Sequence, residues 1–107
     1  MGYRMWAETR EGERLLVDKY GSDCISPIRG WLSVVDRVTE LLYGEPDAVE
    51  YYMWHGNPID IDDIIRCLST RKEEIKKGLP EKLQGTVAEV ADWFTTVREN
   101  GGAIVMC

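Results

Sequence analysis

The stretch YYMWHGNPIDIDDIIRC, residues 51–67, gathers the residue types that do chemistry in this chain: its only histidine, three aspartates and one of its three cysteines. An imidazole beside carboxylates is raw material for acid–base catalysis or for a metal site. Zinc would need two or three further His or Cys ligands at short spacing, and the chain offers His55 only separated cysteines and carboxylates. A calcium loop would need acids at alternate positions, a central Gly and a distant Glu, which the stretch lacks. Nucleophilic catalysis by Cys24 or Cys67 with His55 as base would require the two groups to meet in space.

Each of these residues also has a plainer reading. Asp60, Asp62 and Asp63 stand where a helix should begin, and unpaired N–H groups at a helix start favour carboxylates by a few tenths to about 1 kcal/mol each. Gly56-Asn57-Pro58 is turn chemistry, so His55 reads as a turn residue with a structural or partner-contacting role. Cys24, Cys67 and Cys107 are an odd set without a CxxC pair, and read as reduced thiols packed as small hydrophobes. No Gly-rich phosphate loop, GxSxG elbow or HExxH helix occurs. The sequence therefore assigns no catalytic residue, metal or cofactor.

The elements that must position these residues follow from periodicity. Residues 3–8 alternate Tyr3, Met5 and Ala7 with Arg4, Trp6 and Glu8, a half-buried strand pattern. A polar, Gly-containing connection at 9–13 joins it to a second strand at 14–20, predicting a hairpin. Ser26-Pro27 predicts a helix start and Gly44 its end, with Ile28, Trp31, Leu32, Val35, Val38, Leu41 and Leu42 on one face and Asp36, Arg37 and Glu40 outward. The aromatic, β-branched run 48–54 predicts a strand. Asp60 is placed as the N-cap of the next helix, which carries Ile61, Ile64, Ile65 and Leu68, and Thr70 with Glu73 has the form of a capping box that restarts a helix ending at Gly78. Pro80 opens a last amphipathic helix through Leu83, Val87, Val90, Ala91, Phe94 and Val97. Asn100-Gly101-Gly102 closes it before an apolar strand at 103–107. The expectation is one α+β domain over residues 1–107, of order ββαβαααβ, a four-stranded mixed sheet with helices packed mainly on one face.

In that architecture Trp6, Leu16, Tyr20, Tyr52 and Trp54 share the outer sheet face among charges, as aromatic binding anchors do. The net charge of −6 is unevenly spread: residues 36–63 hold eight acids against Arg37 alone. Phosphates repel such a chain, which argues against nucleic acid, while a basic protein partner would be attracted. No apolar run approaches the ~20 residues of a membrane span. No basic segment leads into an apolar one at the N-terminus, so a reduced cytoplasmic setting is expected. The predicted function is a small acidic protein-binding module without catalysis of its own, pairing with or occluding a basic partner. In size and acidity it resembles bacterial immunity proteins and phage inhibitors of host defence. The predicted partner-binding residues are Trp6, Tyr20, Glu50, Tyr52, Trp54, His55, Asp60, Asp62 and Asp63. Two alternatives are a small-molecule site or enzyme built on the His55 loop, and a homodimer stacked through the sheet face.

Overall fold

A computed structural model of the protein describes residues 5–9, 11–16, 24–44 and 61–106. In chain order these form strand β1 (Met5–Glu8), helix α1 (Trp31–Tyr43), helix α2 (Ile61–Thr70), helix α3 (Lys72–Lys77), a 3-10 turn (Glu81–Leu83), helix α4 (Thr86–Glu99) and strand β2 (Ala103–Met106). The predicted strand at 48–54 and the His55 loop lie outside the described residues.

The expected α+β fold is overturned. The described residues are predominantly helical, and no four-stranded mixed sheet is seen among them. Among the described residues strand is confined to β1 paired antiparallel with β2, Met5 opposite Met106 and Glu8 opposite Ala103. The chain does reverse after β1: the Thr9 N–H donates to the Glu13 carbonyl at 2.8 Å, and the Leu15 N–H to the Ala7 carbonyl at 2.9 Å. Beyond that reversal the described residues add isolated bridges to β1, Glu8 to Arg14 and Trp6 to Cys24. Of the predicted second strand at 14–20 the structure describes residues 14–16, where Arg14 and Leu16 are exposed and Leu15 is half-buried.

The core is built helix on helix instead. Val34, Val35 and Val38 of α1, Ile64 and Leu68 of α2, Ile75 of α3, and Val87, Val90, Trp93, Phe94 and Val97 of α4 are buried together. Ala7, fully buried, joins them from β1, with Ile25 and Ile28 from the segment ahead of α1. Trp93 and Phe94 meet edge to face, ring centres 5.2 Å apart, a favoured aromatic geometry.

Three helix boundaries differ from the pattern reading: the last helix, expected to open at Pro80, begins at Thr86 after the 3-10 turn, and two others differ for local backbone reasons. α1 begins at Trp31, not Pro27, because Gly30 sits at φ +79°, outside the right-handed helix. A turn closed by the Ile28 N–H on the Ile25 carbonyl occupies the predicted first residues. The capping box at Thr70 does not form either: the Thr70 hydroxyl donates back to the Arg66 carbonyl at 2.8 Å, and α3 is entered through Arg71 at φ −117°, ψ 27°. Gly44, at φ +75°, ends α1 as its position predicts, its N–H on the Glu40 carbonyl.

Candidate functional site

Of the nine predicted binding residues, Trp6, Asp62 and Asp63 fall within the described structure. Tyr20, Glu50, Tyr52, Trp54, His55 and Asp60 lie outside it. The three described residues belong to two separate clusters.

β1 positions the first. Ala7 points into the core, so strand alternation turns Trp6 and Glu8 to the opposite face, where both are half-buried. The indole Nε1 of Trp6 donates to Glu8 Oε1 at 2.8 Å, and the reversal of the chain lays the Arg14 guanidinium over the same ring, 4.1 Å from its centre. A hydrogen bond at the edge and a cation over the face fix the indole in one orientation. Two residues beyond Arg14, the Leu16 side chain is 58% exposed, a large apolar group offered to solvent on the same hairpin.

α2 positions the second. Asp62 and Asp63 occupy its first turn, as helix-start carboxylates should. Asp63 Oδ1 lies 3.6 Å from Arg66 Nη1 on the same helix, and Asp62 Oδ1 lies 2.8 Å from Arg98 Nε in the last turn of α4. These contacts brace helix ends. Among the described residues no three His, Cys, Asp or Glu side chains come together as a metal would require.

A third cluster was not anticipated. Arg71, at the joint between α2 and α3, reaches back to donate Nη1 to the Leu41 carbonyl at 3.0 Å and forward to clasp Glu74 through Nε at 3.3 Å and Nη2 at 2.8 Å. Arg37, expected to face outward, folds over α3 instead, donating Nη2 to the Glu74 carbonyl at 3.2 Å and pairing through Nη1 with Glu40. Its Nε is buried without a partner. The hydrogen bond from Arg71 holds the Glu74 carboxyl below its ordinary range. Beside them Cys67 is 2% exposed, and desolvation pushes its thiol up despite the nearby positive charge of Arg71. A protonated buried thiol is a poor nucleophile. Cys24, half-buried, has its Sγ 3.1 Å from the Ser26 hydroxyl. The sequence signal for this cluster was the i,i+3 spacing of Arg71 and Glu74, which favours an ion pair on one helix face.

No helix among the described residues is long and apolar enough to cross a membrane. Comparison with protein-family models, with curated proteins and with solved structures gave no match to this chain.

Proposed function

We propose that the protein is a small acidic binding module that acts by pairing with another protein, and that the Trp6 hairpin is one of its contact surfaces. The observation that carries this reading is the clamped indole: Trp6 is fixed by Glu8 and Arg14 on the face of β1 turned away from the core, with Leu16 exposed two residues beyond Arg14. Trp and Arg dominate binding hot spots, and an anchor already held in one rotamer loses less entropy when a partner closes over it. Glu11 and Glu13, both exposed in the connecting turn, add carboxylates at the rim. Together with the eight acids of residues 36–63 they favour a partner with a basic contact surface.

Of the residues of the alternative homodimer contact, Trp6, Tyr52 and Trp54, Trp6 alone lies among the described residues.

The test is comparative affinity capture from cells of the native source, using the wild-type chain beside Leu16→Glu and Trp6→Ala. A partner retained by wild type and lost with both variants, purified and shown to associate more slowly as salt rises, supports the reading. A partner bound equally by all three chains would remove the hairpin from the interface. Binding indifferent to ionic strength would remove the electrostatic half of the proposal.

A further inference from the structure

Gly101 sits at φ +69° in the turn that carries α4 into β2. Its N–H donates to the Arg98 carbonyl at 3.0 Å and the Gly102 N–H to the Val97 carbonyl at 2.9 Å, the paired bonds of a Schellman helix end. The left-handed position of that motif selects glycine, because a β-carbon is disfavoured there. The residue before it is Asn100, exposed, whose backbone N–H and side-chain Nδ2 both donate to the Thr96 carbonyl, at 3.2 and 2.7 Å.

The turn's demand for glycine creates a reactive pair. An asparagine side chain is open to attack by the backbone nitrogen of the next residue, and glycine leaves that nitrogen unhindered. The chain has one other asparagine, Asn57, and the nitrogen that follows it belongs to Pro58, which has no N–H to deprotonate. In the closed turn the reaction is held off, because the Gly101 N–H is engaged with Arg98 and the Asn100 amide is tied to Thr96. Helix ends open far more readily than helix centres, so this protection is intermittent.

We infer that Asn100–Gly101 is a self-modification site gated by the last turn of α4, and that its product leaves the α4–β2 turn loosened. When the turn opens, the Gly101 nitrogen gives its proton to solvent base and attacks Asn100 Cγ. The N–Cγ bond forms, the Cγ–Nδ2 bond breaks and ammonia leaves with a proton from solvent. Water then opens the succinimide at either carbonyl, giving aspartate or isoaspartate at position 100. Neither product can donate to the Thr96 carbonyl, and each sets a carboxylate at the negative end of the helix dipole. Isoaspartate also adds a methylene to the backbone shortly before Ala103, the partner of Glu8 in β1. This inference is independent of the binding role proposed for the Trp6 hairpin.

The experiment uses the full chain as wild type, Gly102→Ala and Asn100→Asp. A β-carbon on Gly102 would stand 2.5 Å from Leu15 Cδ2 and 3.1 Å from the Val97 carbonyl oxygen, so Gly102→Ala strains the turn without altering the reacting pair. Deamidation of wild type and Gly102→Ala is followed by peptide mass and isoaspartate assay, folded and in urea, beside NMR exchange of the Gly101 amide. In urea the two chains should react alike. Folded wild type should react at least about tenfold more slowly than in urea, by the same factor that protects its Gly101 amide, and Gly102→Ala should lose both protections together. Asn100→Asp should exchange faster than wild type at Gly101 and Gly102. Should Gly102→Ala not fold, the match in wild type decides alone. Folded wild type reacting as fast as in urea, or reaction and exchange parting company in either chain, would overturn the gating. Unchanged exchange in Asn100→Asp would overturn the loosening.

Discussion

Leu83 Cδ2 lies 2.5 Å from the point where a β-carbon on Gly30 would stand. The 3-10 turn ahead of α4 thus plugs its leucine against the backbone at the start of α1, and only the absence of a side chain permits the fit. Gly30 also occupies φ +79°, where an L-residue with a β-carbon is disfavoured by about 1–2 kcal/mol.

Gly30→Ala should therefore meet two penalties, the backbone cost and the overpacking of Leu83, together about 2–4 kcal/mol. In a Leu83→Ala background the collision is gone and the backbone cost alone remains, so the effect of Gly30→Ala should fall to roughly half. Urea denaturation of the four chains measures this directly. An undiminished cost in the double variant would show that the leucine contact contributes nothing.

These details also mark the limits of what pattern reading delivered. Helical periodicity located Val35, Val38, Ile64, Leu68, Val87, Val90, Phe94 and Val97, and all are buried, because a 3.6-residue stripe is a strong signal over two or more turns. Gly30 inside such a stripe was passed over, since an isolated glycine does not announce its φ. Strands were legible at both ends of the chain, but the four-stranded sheet was not. Short alternation near the N-terminus correctly turned Ala7 inward and Trp6 away from the core, but a pattern of two describes a ribbon with isolated bridges as well as a four-stranded sheet. For the candidate site, the helix-start role of Asp62 and Asp63 was legible. The i,i+3 spacing hinted at the Arg71–Glu74 pair, but the bonds that tie Arg37 and Arg71 across helices were not legible, because they join residues 30 or more positions apart.

Trp93 was missed as a core residue, and it carries an unusual feature: it is fully buried while its Nε1 has no hydrogen-bond partner. An orphaned buried donor costs about 1–3 kcal/mol. Trp93→Phe removes that donor, keeps an aromatic ring against Phe94 and leaves a small cavity, so the two effects should nearly cancel to within about 1 kcal/mol. Trp93→Ala has no such compensation and should cost about 3–5 kcal/mol. If thermal and urea unfolding place the Phe variant as low as the Ala variant, the indole N–H is not an orphan in solution.

The pH dependence of stability should show two separable limbs. Cys67 has its thiol pushed above the ordinary 9.0 by desolvation, so above pH 9 the unfolded chain loses its proton before the folded chain does. Its contribution to stability is full below that value and declines as pH rises through the raised one. Cys67→Ala should flatten the decline above pH 9. Glu74 has the opposite sign. Held below its ordinary 4.5 by the Arg71 hydrogen bond, it contributes stability above that value and loses it as pH falls through the lower one, and Glu74→Gln should flatten that acid limb. An alkaline limb unchanged in Cys67→Ala, or an acid limb unchanged in Glu74→Gln, would show that other groups titrate there.

The Arg98–Asp62 pair at 2.8 Å joins the last turn of α4 to the first turn of α2, which invites the conclusion that it locks the two helices together. Exposure argues otherwise, because the two side chains are 59% and 50% accessible and water competes for both. Exposed pairs contribute about 0.2–1 kcal/mol in double-mutant cycles, and less as salt shortens the screening length. Each partner is also placed well without the other: a carboxylate in a first turn and a cation in a last turn each gain about 0.3–1 kcal/mol from the helix ends. Most of the destabilisation from Asp62→Asn should therefore survive in an Arg98→Gln background, and the coupling between them should vanish in 1 M salt. A coupling above about 2 kcal/mol that resists salt would instead make this pair a true inter-helix lock.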